Sequence, residues 1–117
     1  MRTRDKALSI ASMNTDATLK EFFDFLKIPS VSADPNHKED MQKAAEWLAD
    51  KLNSMGLDEV QIIPTPLHPL VFARKDSKHA NAPTVLFYGH YDVQPPDPLD
   101  LWKSGPFEPV VRGDHLY

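Results

Sequence analysis

Thr84-Val85-Leu86-Phe87-Tyr88-Gly89-His90-Tyr91-Asp92-Val93 decides how the rest of the chain is read. The run before the glycine is apolar on both faces, the pattern of a strand in the interior of a sheet. It stops at Gly89, and a histidine and an aspartate follow with one residue between them. In α/β proteins, ligands and reacting groups collect just past the carboxyl ends of strands. Side chains two apart on an extended segment point the same way, so His90 and Asp92 share one side of the backbone. The carboxylate then has two roles open to it. It can accept a hydrogen bond from the ring nitrogen that does not bind a metal, fixing the tautomer, or it can bind the metal itself. Gly89 reads as a place where the backbone passes close to a neighbour. A His-x-Asp triplet taken alone is also a common polar strand end.

Upstream, two helices and two shorter strands are expected. Leu19, Phe22, Phe23 and Leu26 recur at helical spacing. Thr18 with Glu21 fits a capping box at the start of that helix, and Pro29 ends it. A second helix opens at Asp34-Pro35, an N-cap followed by a first-turn proline. Its apolar stripe is Met41, Ala44, Ala45, Leu48, Leu52 and Met55, and Gly56 closes it as a left-handed C-cap. Its methionines and Trp47 read as core packing. After Gly56 the period changes to that of a strand at Val60, Ile62 and Ile63. Pro64, Pro66 and Pro69 punctuate a loop, Leu70–Ala73 is a short second strand, and residues 76–83 form a polar connector. Past Gln94 the chain is irregular, with Trp102 and Phe107 as anchors, a short strand over 108–111 and a turn at Gly113-Asp114. This order implies an α/β fold, a mixed β-sheet with helices packed on it. Residues 1–14 read as a disordered N-terminal tail; the start is too polar and its apolar part too short for a secretory leader.

Composition narrows the class of function. The chain has 117 residues, 41% hydrophobic and 26% charged, the make-up of an ordinary globular domain. A net charge of -4 offers no basic surface for nucleic acid. No apolar run approaches the roughly 20 residues that span a bilayer, so no membrane partner is expected. There is no cysteine, which excludes disulfides and thiolate zinc sites. A metal here would need His, Asp and Glu, donors that suit hydrolytic chemistry. A cytoplasmic location fits this cysteine-free make-up. Besides His90, the histidines at 37, 68, 79 and 115 read as surface residues rather than ligands.

The stretch Thr84–Pro95 resembles the first metal motif of the M20 metallopeptidases. Trp102-Lys103-Ser104-Gly105-Pro106-Phe107 and Arg112-Gly113-Asp114-His115-Leu116-Tyr117 are similar to the approach to that family's second motif, and Ile28-Pro29-Ser30-Val31-Ser32 to its early loop. Val93-Gln94-Pro95, the tryptophan and the Pro-Phe pair look most like the dipeptidase, carnosinase-like branch. The resemblance implies that 15–117 is an incomplete catalytic domain, the N-terminal part of a dinuclear zinc-peptidase fold. It implies two zinc ions, with cobalt or manganese as alternatives, and His90 as the ligand of one of them. Asp92 matches the aspartate counted among the family's catalytic residues, thought to orient the histidine. The implied reaction is hydrolysis of a small peptide, with a glutamate as general base and a homodimer formed by the full-length protein. The bridging aspartate, the general base and the remaining ligands of the family have no counterpart at motif positions in these 117 residues. Such a piece is expected to be inactive alone. Two other readings share the first motif: an N-acyl amino acid deacylase or deacetylase, and a non-catalytic fragment.

Overall fold

The computed structural model describes residues 3–117 and divides into two compact units, one spanning Ile28–Leu99 and the other formed by the residues up to Lys27 with Asp100–Tyr117. The unit Ile28–Leu99 carries the candidate site. Its spine is a helix whose start follows the sequence closely. Asp34 accepts a hydrogen bond from the Asn36 backbone N–H at 2.9 Å and caps a 3-10 turn over Pro35–His37. That turn runs directly into a helix over Lys38–Ser54 (here α3). Gly56, at φ 73°, provides the left-handed residue after the helix. Met41, Ala44, Ala45 and Ala49 are buried, three of the four being alanines, so the backbone of α3 approaches what it packs on closely. Met55, at the far end of the expected stripe, is 66% exposed and lies outside this face.

The helix packs on an antiparallel hairpin of β1 (Glu59–Ile63) and β2 (Leu70–Arg74). Val60 sits opposite Ala73 and Ile62 opposite Val71, and these four are half-buried, as is Glu59 at the start of β1. The alternation is the period-2 pattern of a sheet with one covered face. Asp58 ties the hairpin to the helix end. Its carboxylate accepts from Lys75 Nζ at 2.8 Å and from the Asp76 backbone N–H at 2.7 Å, and Lys75 also donates to the Gly56 carbonyl.

The loop between the Ile28 end of the unit and Asp34 is turned tightly. Ser30 N donates to the Ile28 carbonyl and Val31 N to the Pro29 carbonyl, both at 2.8 Å, the i to i+2 bonds of successive γ-type turns. Val31, 1% exposed, forms a parallel bridge with Val93.

The strand expected over Thr84–Gly89 does not form among the described residues. Val85, Leu86, Phe87 and Tyr88 are 69–90% exposed, and no ladder reaches them. An apolar run becomes an interior strand only when other segments pair with both of its edges, and the described residues provide none. Gly89 departs from expectation too, since a Cβ there would meet nothing within 4 Å.

In the other unit, the segment read as a tail is helical: α1 covers Thr3–Met13 and buries none of its residues. It is followed by α2 (Thr15–Leu26). Thr18 lies inside α2 rather than capping it, because Asn14 ends α1 and begins α2, donating from its side chain to the Ile10 carbonyl and accepting from Thr18 N. The helix stops before Pro29, as its sequence requires. The strand expected over 108–111 is shifted: β3 (Val111–Arg112) pairs with β4 (His115–Leu116) around Gly113, at φ 62°. Val110 and Tyr117 exchange two backbone hydrogen bonds of 2.9 Å and lengthen this hairpin. No described helix is long and apolar enough to cross a membrane.

Candidate metal-ligand site

The His-x-Asp segment and the early loop, some sixty positions apart in sequence, meet along one line of contacts. Val93 N donates to the Ser30 carbonyl at 2.9 Å, and Ser30 Oγ donates to the Tyr91 carbonyl at 2.8 Å. Tyr91 Oη donates to the Pro69 carbonyl at 2.6 Å, and burial of its ring raises the phenol above its ordinary pKa. His68 Nε2 lies 2.9 Å from the Ser32 carbonyl. A carbonyl only accepts, so His68 is the donor. The alternation of side chains along the segment separates Tyr91, whose ring reaches Pro69, from His90 and Asp92 on the other side.

There the two candidate residues touch. His90 Nδ1 is 3.0 Å from Asp92 Oδ1 and 3.1 Å from the Asp92 carbonyl oxygen. Both neighbours are acceptors, so in the neutral ring Nδ1 carries the proton and Nε2 presents its lone pair. Nε2 makes no hydrogen bond among the described residues, and the side chain is 76% exposed. The second carboxylate oxygen, Oδ2, accepts from Ser32 Oγ at 2.5 Å. The Ser32 hydroxyl, and after it His90, hold the Asp92 carboxyl below its ordinary pKa. Of the two roles open to Asp92, this geometry is that of a residue that orients the imidazole, with each carboxylate oxygen already engaged.

A histidine in the Nδ1–H tautomer, braced by a carboxylate, has the chemistry of a metal ligand. Among the described residues no three His, Cys, Asp or Glu side chains converge as a metal cage. The other histidines are placed elsewhere. His37 Nδ1 contacts Asp40 Oδ2 at 2.8 Å beside the start of α3, while His79 and His115 are exposed. His68 is half-buried and serves the loop, a role its proline-rich surroundings did not disclose. Ser30, Ser32 and Tyr91 were likewise missed as parts of the site. They lie in stretches that carry the resemblance, but their partners are 22 to 61 residues away and no local pattern pairs them.

No family model matches the chain. A Cys-Gly metallodipeptidase of Candida albicans is 37% identical over 94 residues, 70% of this chain and 19% of the relative. A succinyl-diaminopimelate desuccinylase of Nitrosospira multiformis is 42% identical over 72 residues, covering 62% and 18%. The solved structure of the Saccharomyces cerevisiae dipeptidase Dug1p superposes with a TM-score of 0.78 at 27% identity, over 86% of this chain and 23% of that one. The chain thus spans about a fifth to a quarter of the length of the relatives it matches. The similarity in sequence and the shared α/β fold establish that the chain belongs to the M20 metallopeptidases.

Proposed function

We propose that this chain is the N-terminal ligand segment of a dinuclear metallohydrolase that cleaves dipeptides or related small amide substrates. The observation that carries this is the imidazole of His90, with its Nδ1 proton held by Asp92 and its Nε2 left open. The names of its relatives, a Cys-Gly dipeptidase and a desuccinylase, both describe hydrolysis of an amide bond.

In this reading His90 Nε2 donates to one of two zinc ions, with cobalt or manganese as alternatives. Bound zinc supplies a water of lowered pKa and a Lewis acid for the scissile carbonyl. Asp92 keeps the ring in the ligating tautomer and at a fixed angle, and Ser30 and Tyr91 fix the backbone from which both side chains project. Catalytic zinc generally takes three protein ligands, and the described residues supply one. The remaining ligands and the general base therefore come from outside these 117 residues, and the isolated chain is inactive. We place the complete protein in the cytoplasm as a homodimer, in keeping with a cysteine-free chain and with the family resemblance.

The experiment is a His90→Ala substitution in a protein carrying this segment together with the missing ligands. Loss of bound zinc together with loss of dipeptide hydrolysis is the expected result. Full metal content and full activity in the variant would remove the reading. A second reading, an amino acid N-deacylase, is favoured by the identity to the desuccinylase. Comparing kcat/KM on Cys-Gly and on N-succinyl amino acids separates the two.

A further inference from the structure

The Asp92 carboxylate is half-exposed and carried on two rotatable bonds, so its contact with His90 alone does not explain why it holds one orientation. Its two oxygens are divided between partners from different parts of the chain. Oδ1 faces His90 Nδ1, and Oδ2 accepts from Ser32 Oγ. The second bond turns the carboxylate plane toward the imidazole and removes the rotamers in which Oδ1 faces solvent.

Ser32 is itself well placed to do this. The preceding residue, Val31, is buried and bridged to Val93, the residue that follows Asp92. The carbonyl of Ser32 accepts from His68 Nε2. Ser30 clasps the Tyr91 carbonyl, between the two site residues. The backbone is thus stapled by Ser30, Val31 and His68, and the Ser32 hydroxyl remains for the carboxylate alone.

We propose that Ser32 is a positioning residue for the His90 ligand. Its hydroxyl orients Asp92, Asp92 holds the proton on His90 Nδ1, and Nε2 is thereby reserved for the metal. This rests on the reading of His90 as a ligand. Partners of this kind, one step removed from the metal, change metal affinity by about 10- to 100-fold when lost.

The test uses the 15N-labelled 117-residue chain. Long-range 1H–15N spectra of its histidine rings report the tautomer of His90 without metal, and zinc affinity is read by zinc chloride titration of a protein that carries this segment together with the missing ligands. The expected result is a dominant Nδ1–H form in the parent chain. In Ser32→Ala the Nε2–H form should rise and zinc affinity at His90 should fall about tenfold. Ser32→Thr, which keeps the hydroxyl, should preserve both readings. Ser30→Ala, which loosens the loop but leaves the carboxylate bond, should keep the Nδ1–H form. If Ser32→Ala loses the fold, Ser32→Cys replaces it, with a thiol as a much weaker donor. An unchanged tautomer in the variant, or an equal change in Ser30→Ala, overturns the role of Ser32. Full zinc retention by His90→Ala in a protein that carries this segment together with the missing ligands overturns the ligand reading instead, and with it the metal half of the proposal. The two failures are distinguishable because the tautomer is read before any metal is added.

Discussion

At the scale of single residues, the site depends on one proton. Placing it on His90 Nδ1 leaves the Nε2 lone pair open, the atom proposed to meet a metal, and the two acceptors near Nδ1, the carboxylate and the carbonyl of Asp92, both favour that placement. Asp92→Ala removes one of them. In a protein that completes the proposed site it is expected to lower metal retention and kcat/KM by about 10- to 100-fold, measured as zinc content after dialysis and as the rate of dipeptide hydrolysis. The pairing of His90 with Asp92 was legible in the sequence because it needs only the two-residue repeat of an extended segment. The hydroxyl on Oδ2 was not legible: Ser32 stands sixty positions away in a loop whose composition signals only a turn.

Among the elements, α3 is where sequence and structure agree most closely, because its signals are local. Asp34, Pro35 and Gly56 act on the backbone within one turn of themselves. Gly56→Ala forces a Cβ into left-handed space and is expected to destabilise by about 1–2 kcal/mol. Met41 is buried at 2% exposure, and Met41→Ala should cost about 2–5 kcal/mol; urea unfolding followed by circular dichroism measures both. The first turn of α3 also carries a pH dependence. The side chains of His37 and then Lys43 hold the Asp40 carboxyl below its usual 3.8. The unfolded chain therefore takes up a proton there at higher pH than the folded one. The stabilisation is fully present above about pH 4 and is lost as the pH falls through the folded value. Thermal midpoints of the parent chain should drop on acidification below pH 4, and Asp40→Asn should flatten that part of the curve.

For the whole molecule, the deciding feature is the uncovered run Val85-Leu86-Phe87-Tyr88. Four consecutive apolar side chains without a charge among them promote association when exposed. The 117-residue chain is expected to associate with rising concentration in sedimentation velocity, and the double variant Leu86→Lys, Phe87→Lys to shift toward the monomer. The apolar pattern of this run was read correctly and its environment was not, because pairing depends on what lies alongside. By itself, the sequence determined what acts over a few residues: the capped helix α3, the two short strands β1 and β2, the turn at Gly113, and a histidine and an aspartate on one side of the chain. Only the tertiary structure decided which distant groups close on that pair, Ser32 onto Asp92, Ser30 onto Tyr91 and His68 onto the loop. The reason is physical. Caps, turns and periodicity arise from backbone sterics within a turn or two, whereas a hydrogen bond across sixty residues exists only after packing has brought its ends together, and it leaves no periodic trace in either segment.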